Sequence, residues 1–203
     1  VLYGNLKPGD LNLETINERL SAFARSAFRR PPPEGELKPI RALVAAKLNA
    51  GLKPLDALQL GFQAILCAPG FLYLQEGEGQ LKGYALASRL SYFLWSSMPD
   101  DELLKLAAAG TLSEPATGRK QVARMLADPK GQRFVSNFTR IWLELDNIGK
   151  MPPSKDFVSY YRDNLESAMR KETEHFFGHV LKENLPPREF LAADYSFLNR
   201  ELA

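Results

Sequence analysis

Apolar residues recur at intervals of three and four along most of the chain, the spacing that draws one stripe down an α-helix. Leu13, Ile16, Leu20, Phe23, Ala24, Ala27 and Phe28 make such a stripe over residues 13–30. Pro31-Pro32-Pro33 ends it, because proline lacks an amide donor and restricts the residue before it. A second helix is predicted over 36–49, with Pro39 in its first turn and Gly51 placed for a left-handed cap. A third starts at Pro54 and carries Leu55, Leu58, Phe62, Ile65 and Leu66 toward Pro69-Gly70. The 84–96 segment is apolar round most of its circumference, the mark of a helix in the middle of a bundle. It stops at Pro99, and Asp100 is well placed to cap a helix over 101–109 that Gly110 closes.

Further helices are predicted over 115–127 and 131–145, the latter with Phe134, Phe138, Ile141, Trp142 and Leu145 as an inward stripe. The longest runs over 164–183 and ends at Asn184-Leu-Pro-Pro187. A short turn over 187–192 precedes a last helix over 197–203. No alternating pattern of useful length argues for a strand. The expected fold is all-α, a multi-helix bundle of about nine or ten helices.

Gln75-Glu-Gly-Glu-Gly-Gln80 is polar, glycine-rich and without periodicity, so it marks a hinge. It divides the chain into helical subdomains 1–80 and 81–203, or joins two halves of one packed unit. The chain opens at Val1 and stops inside an apparent helix, and so is expected to be a fragment of a larger polypeptide. The 26 basic and 24 acidic residues nearly cancel, which gives no argument for a nucleic-acid partner. No apolar run reaches the roughly 18 residues a transmembrane helix needs. A single cysteine, Cys67, rules out an internal disulfide and a CxxCH haem-attachment site; its apolar neighbours place it on a buried helix face.

Candidates for chemistry are few. His175 and His179 are the only histidines, four apart on the long helix, with Glu172 three residues before His175. At about 100° per residue the three share one stripe, the half-motif of a helical metal site that needs a further ligand. Asp100-Asp101 are helix-start residues, and Asp194 is suited to a local cap. Ser91, Ser96 and Ser97 have no local histidine, and neither a Gly-x-Ser-x-Gly elbow nor a phosphate-binding glycine loop occurs. No catalytic residue is assigned. Tyr160-Tyr161, beside a proline loop, is the aromatic pair expected at the surface.

Longer strings carry a resemblance. Ala24-Arg-Ser-Ala-Phe28-Arg-Arg-Pro31 and Ala64-Ile-Leu-Cys-Ala-Pro-Gly-Phe71-Leu-Tyr73 look like the first of two adjoining domains of unknown function in large secreted planctomycete cytochrome-c-associated proteins. Leu86-Ala-Ser-Arg-Leu-Ser-Tyr-Phe-Leu-Trp95-Ser-Ser-Met-Pro-Asp-Asp-Glu-Leu103 resembles the opening of the second. Met125-Leu-Ala-Asp-Pro129, Phe138-Thr-Arg-Ile-Trp142-Leu143, Glu172 to Asn184 and Asp194 to Ala203 continue the likeness. His179 falls on a histidine of the family string, and His175 does not clearly do so.

The resemblance implies an extracytoplasmic setting, periplasmic or secreted. The partners it implies are the remaining domains of the same polypeptide. It implies no cofactor within this fragment and leaves room for haem c in a neighbouring domain. On that basis the chain is expected to be a non-catalytic helical scaffold or docking module of a multidomain redox protein. Two other readings stay open. One is part of an oxidoreductase with a haem or metal cofactor at a domain junction, using His179 and Glu172. The other is a carbohydrate-binding module acting through exposed tyrosines or tryptophans.

Overall fold

The computed structural model describes residues 11–74, 76–162 and 164–203. Gln75, the first residue of the expected hinge, lies outside them. Among the described residues there are eleven α-helices and no strand. They are α1 (Leu13–Ala27), α2 (Glu34–Asn49), α3 (Pro54–Leu66), α4 (Pro69–Leu72), α5 (Gly83–Trp95), α6 (Asp101–Ala108), α7 (Pro115–Ala127), α8 (Gln132–Trp142), α9 (Val158–Arg162), α10 (Leu165–Lys182) and α11 (Glu189–Ala192). The all-α expectation holds. The short α4 and α9 have no periodic stripe long enough to announce them.

The chain divides into two compact units. The first takes the residues up to Tyr92 together with Ser97–Val122, and the second takes Phe93–Ser96 with Ala123–Ala203.

In the first unit α1, α2 and α3 pack around Ile16, Leu20, Ala24, Val44, Leu58 and Ile65, all without solvent contact. Asn12 starts α1 with a reciprocal cap: its side chain accepts from the Thr15 amide, and Thr15 Oγ1 accepts from the Asn12 amide, both at 2.9 Å. Phe23 meets Phe62 with ring centroids 4.5 Å apart. The helices come close because α3 presents Gly61. A methyl there would stand 2.5 Å from Leu20 Cδ2 and 3.1 Å from Val44 Cγ2. We therefore expect Gly61→Ala to destabilise the protein by about 1 kcal/mol in urea unfolding. Overpacking of roughly 1–3 kcal/mol outweighs the gain of about 1 kcal/mol in helix propensity. A stabilised variant would show that α1 and α2 yield freely.

A second feature of this unit is Arg29, only 5% exposed. Its Nη2 donates to the carbonyls of Gly70, Phe71 and Tyr73 at 3.0–3.2 Å, and Nη1 donates to the Tyr92 hydroxyl at 3.3 Å. Arg30, next in sequence, instead pairs with Glu36 at 2.8 Å. Downstream, Arg89 forks onto Glu76, and that hydrogen bond holds the Glu76 carboxyl below its ordinary range. Asp100 caps α6 by accepting from the Leu103 amide at 2.9 Å.

The second unit is built round Trp95 and a run of aromatic rings. Trp95 is 1% exposed, and its Nε1 donates to the Met125 carbonyl at 2.8 Å. The Lys130 ammonium lies 4.5 Å from the Trp95 ring centroid and the Arg124 guanidinium 5.4 Å. Arg133 donates to the Trp95 carbonyl at 3.0 Å, and Asn137 Nδ2 donates to Ser96 Oγ at 2.7 Å. Phe177, buried on α10, stacks on Phe190 at 5.6 Å and meets Phe138 at 5.4 Å. Arg170 clamps the turn before α9 by donating to the carbonyls of Leu145 and Ile148.

Three local expectations are corrected. Cys67 is exposed: it caps α3 two residues after buried Ile65, and two steps of 100° turn it to the opposite face. Residues 197–203 form no helix, only a turn in which Asn199 Oδ1 accepts from the Leu202 amide at 3.1 Å. So short a segment does not offset the cost of helix nucleation without a packed face. The α8 stripe is inward only in part. Phe134, Phe138 and buried Leu145 follow it, whereas Ile141 and Trp142 are 70% and 51% exposed.

Candidate functional site

Helix α10 forms one wall of a cleft in the second unit. Its three faces do different work because residues 100° apart point to different neighbours. Phe177 and Val180 are buried, and Phe177 enters the aromatic run. Glu172, Phe176 and His179 face the chain returning after α11. Glu172 Oε1 accepts from Ser196 Oγ, Phe176 meets Tyr195 at 5.5 Å, and His179 lies edge-on to Tyr195 at 5.7 Å and tilted to Phe197 at 5.2 Å. Burial, then the nearby Glu189 carboxylate, pushes the Tyr195 phenol up.

The third face lines a cleft of about 740 Å³. Glu174, His175, Gly178, His179, Leu181 and Lys182 supply this wall. The opposite wall is small and apolar, made by Ala123, Leu126 and Ala127 of α7. Gly131, Gln132 and Val135, at the start of α8, complete the lining. Gly131 belongs to a 3-10 turn, Pro129–Gly131, in which the Asp128 carboxylate accepts from the Lys130 amide at 2.8 Å. A Cβ at Gly131 would lie 2.7 Å from the Leu126 carbonyl, so a larger residue would push α8 away from the end of α7. The volume is in the range of small-molecule sites.

Of the three metal candidates, only the two histidines share this cleft. Glu172 turns away to Ser196, and His179 is flanked by two aromatic rings. Among the described residues no group of three or more His, Cys, Asp or Glu side chains comes together in a metal-binding arrangement.

The other sequence candidates are engaged locally. Ser91 Oγ donates to the Ser97 carbonyl at 2.7 Å, and Asp100 is the α6 cap. Tyr160 donates to Glu166 at 2.7 Å, which raises its phenol pKa, with burial adding to the effect. Tyr161 donates to the Pro153 carbonyl at 2.6 Å and is about half exposed.

Sequence reasoning passed over Glu174 and Lys182. The signal was present: Glu174, Gly178 and Lys182 stand at i, i+4 and i+8, a charged stripe interrupted by a helix-weakening glycine.

No helix among the described residues is long and apolar enough to cross a membrane. No curated protein and no solved structure matches the chain. Two family profiles do: residues 15–76 match PSD5, described as a protein of unknown function (DUF1595), and residues 81–203 match PSD4, described as a protein of unknown function (DUF1592). With the second match spanning more than half its length, this chain belongs to the PSD4 family of proteins of unknown function, preceded by a stretch similar to PSD5.

Proposed function

We propose that the chain is a non-catalytic helical docking module of an extracytoplasmic multidomain redox protein, and that its partner is a further domain of the same polypeptide. The observation that supports this is the apolar surface at the end of α8. Trp142 is half exposed although its ring meets Phe177 and Phe190, and it is flanked by exposed Ile141 and Leu143. Leu191, beside Phe190, is 92% exposed. Large side chains that continue a buried aromatic cluster out to solvent make an interface core of the usual composition. The redox and extracytoplasmic setting rests on the resemblance to secreted cytochrome-c-associated proteins, in which a haem domain would be the neighbour.

Hydroxyl-radical footprinting of the full-length polypeptide against this chain alone tests the reading. Oxidation of Trp142 and Leu191 is expected to fall several-fold in the full-length protein, with Met151, 93% exposed on another loop, as the unprotected control. Equal labelling of Trp142 and Leu191 in both would remove the docking surface.

A further inference from the structure

The α10 cleft is independent of the docking surface, and its charges have an order. Glu174 stands at one end of its polar wall and Lys182 at the other, eight residues apart on one helix, a rise of about 12 Å. Between them on the same stripe is Gly178, which puts no side chain of its own between the two charges. A Cβ at Gly178 would only reach ordinary contact with Val135, at 3.6 Å and 3.9 Å. The glycine therefore serves the open channel and not a forced close approach. One Glu174 oxygen accepts from Ser136 Oγ at 3.1 Å, which fixes the carboxylate at its end of the cleft. Lys182 has no ion-pair partner among the described residues. At the last turn of α10 its full positive charge outweighs the roughly half negative charge of the helix C-terminus.

We propose that this cleft binds a short extended peptide as a zwitterion, its ammonium end at Glu174 and its carboxylate end at Lys182. An extended chain spans about 3.3–3.6 Å per residue, so three or four residues bridge the two charges. His175 and Gln132, each able to donate and to accept, face the intervening amide groups. Ala123, Leu126 and Ala127 offer the opposite side small apolar contacts, which suits short side chains. No aromatic ring except the imidazoles lines the cleft, so a sugar would find no stacking platform there.

The probe is tetraalanine with free termini, titrated into the chain by calorimetry and by NMR of the two imidazoles and the Gly178 amide. Saturable binding in the range of about 0.1–1 mM is expected, as two partly screened ion pairs and a small contact area allow. N-acetyl-tetraalanine amide, without charged ends, is expected to bind at least about fivefold more weakly. Glu174→Lys and Lys182→Glu each weaken tetraalanine by a similar factor. The double variant restores binding, because the peptide can then lie in the reverse direction. Gly178→Leu, with its circular dichroism unchanged, blocks the channel and abolishes binding. No saturation by about 10 mM, equal binding of the capped peptide, or a double variant no better than the single ones would each overturn the proposal.

Discussion

Trp95→Ala is expected to destabilise the second unit by about 4 kcal/mol, the largest effect of any single change considered. A buried tryptophan cut to alanine costs about 3–5 kcal/mol in transfer and cavity terms. The Met125 carbonyl loses its donor, a cost of roughly 1–3 kcal/mol if water does not enter. The Lys130 and Arg124 contacts with the ring go as well, although these costs overlap and do not sum. Trp95→Phe separates the parts. It keeps most of the apolar volume, loses the N–H donor, and is expected to cost about 1–2 kcal/mol. Urea unfolding followed by circular dichroism gives both values. In both variants Trp142 remains as the sole tryptophan reporter. A loss below about 1 kcal/mol for Trp95→Ala would show that the site collapses or hydrates without difficulty.

Arg29→Met is expected to cost the first unit about 3 kcal/mol. The methionine fills part of the space, but the carbonyls of Gly70, Phe71 and Tyr73 lose a common donor. These carbonyls end or follow the four-residue α4, where a helix has no internal donors left to offer. A buried acceptor left without a donor costs roughly 1–3 kcal/mol, and the total for the three stays near about 3 kcal/mol because Tyr73 is exposed and its neighbourhood admits water. Arg29→Lys retains the charge and loses the planar fork, so it is expected to recover only part of the deficit. Arg29 also has φ +59°, a left-handed backbone that costs a non-glycine residue about 1–2 kcal/mol. The side chain's contacts must exceed that strain. In thermal unfolding the Met variant should melt about 10 °C lower, at roughly 2–4 °C per kcal/mol for a chain of this size. An unchanged melting temperature would mean that the buried guanidinium contributes nothing net.

These two residues show where reading the sequence works and where it stops. Trp95 closes an obviously apolar segment, so its burial was legible from periodicity. Its carbonyl partner on Met125, thirty residues on, was not. Arg29 and Arg30 form an adjacent basic pair with nothing to distinguish them. One is sunk among backbone carbonyls and the other lies in a surface ion pair, because the α1 C-terminus turns between them and α4 folds back over the first. Ile141 and Trp142 fit the α8 stripe and yet stand exposed, since an apolar stripe states what a helix can bury and not whether a neighbour arrives to cover it.

The candidate site was half visible. The i, i+4 spacing of His175 and His179 placed both on one side of α10, and both line the cleft. Their expected companion Glu172, one turn earlier, lies toward the aromatic turn after α11, and Glu174 takes the place beside them. A difference of two residues on a helix is 200° of rotation, so the identity of the facing carboxylate depends on which helices pack against α10.

By itself the sequence determined nine of the eleven helices of the described residues, with limits good to a few residues, and the capping at Asp100; it missed α4 and α9 and expected one over 197–203 that does not form. Those properties come from local forces, namely side-chain periodicity, the missing amide of proline and the capping hydrogen bond. Tertiary structure alone decided which apolar stripes found partners, which arginine was buried, and that a glycine between Glu174 and Lys182 opens onto a cleft. Those outcomes depend on contacts between residues distant in the chain, whose geometry no local pattern encodes.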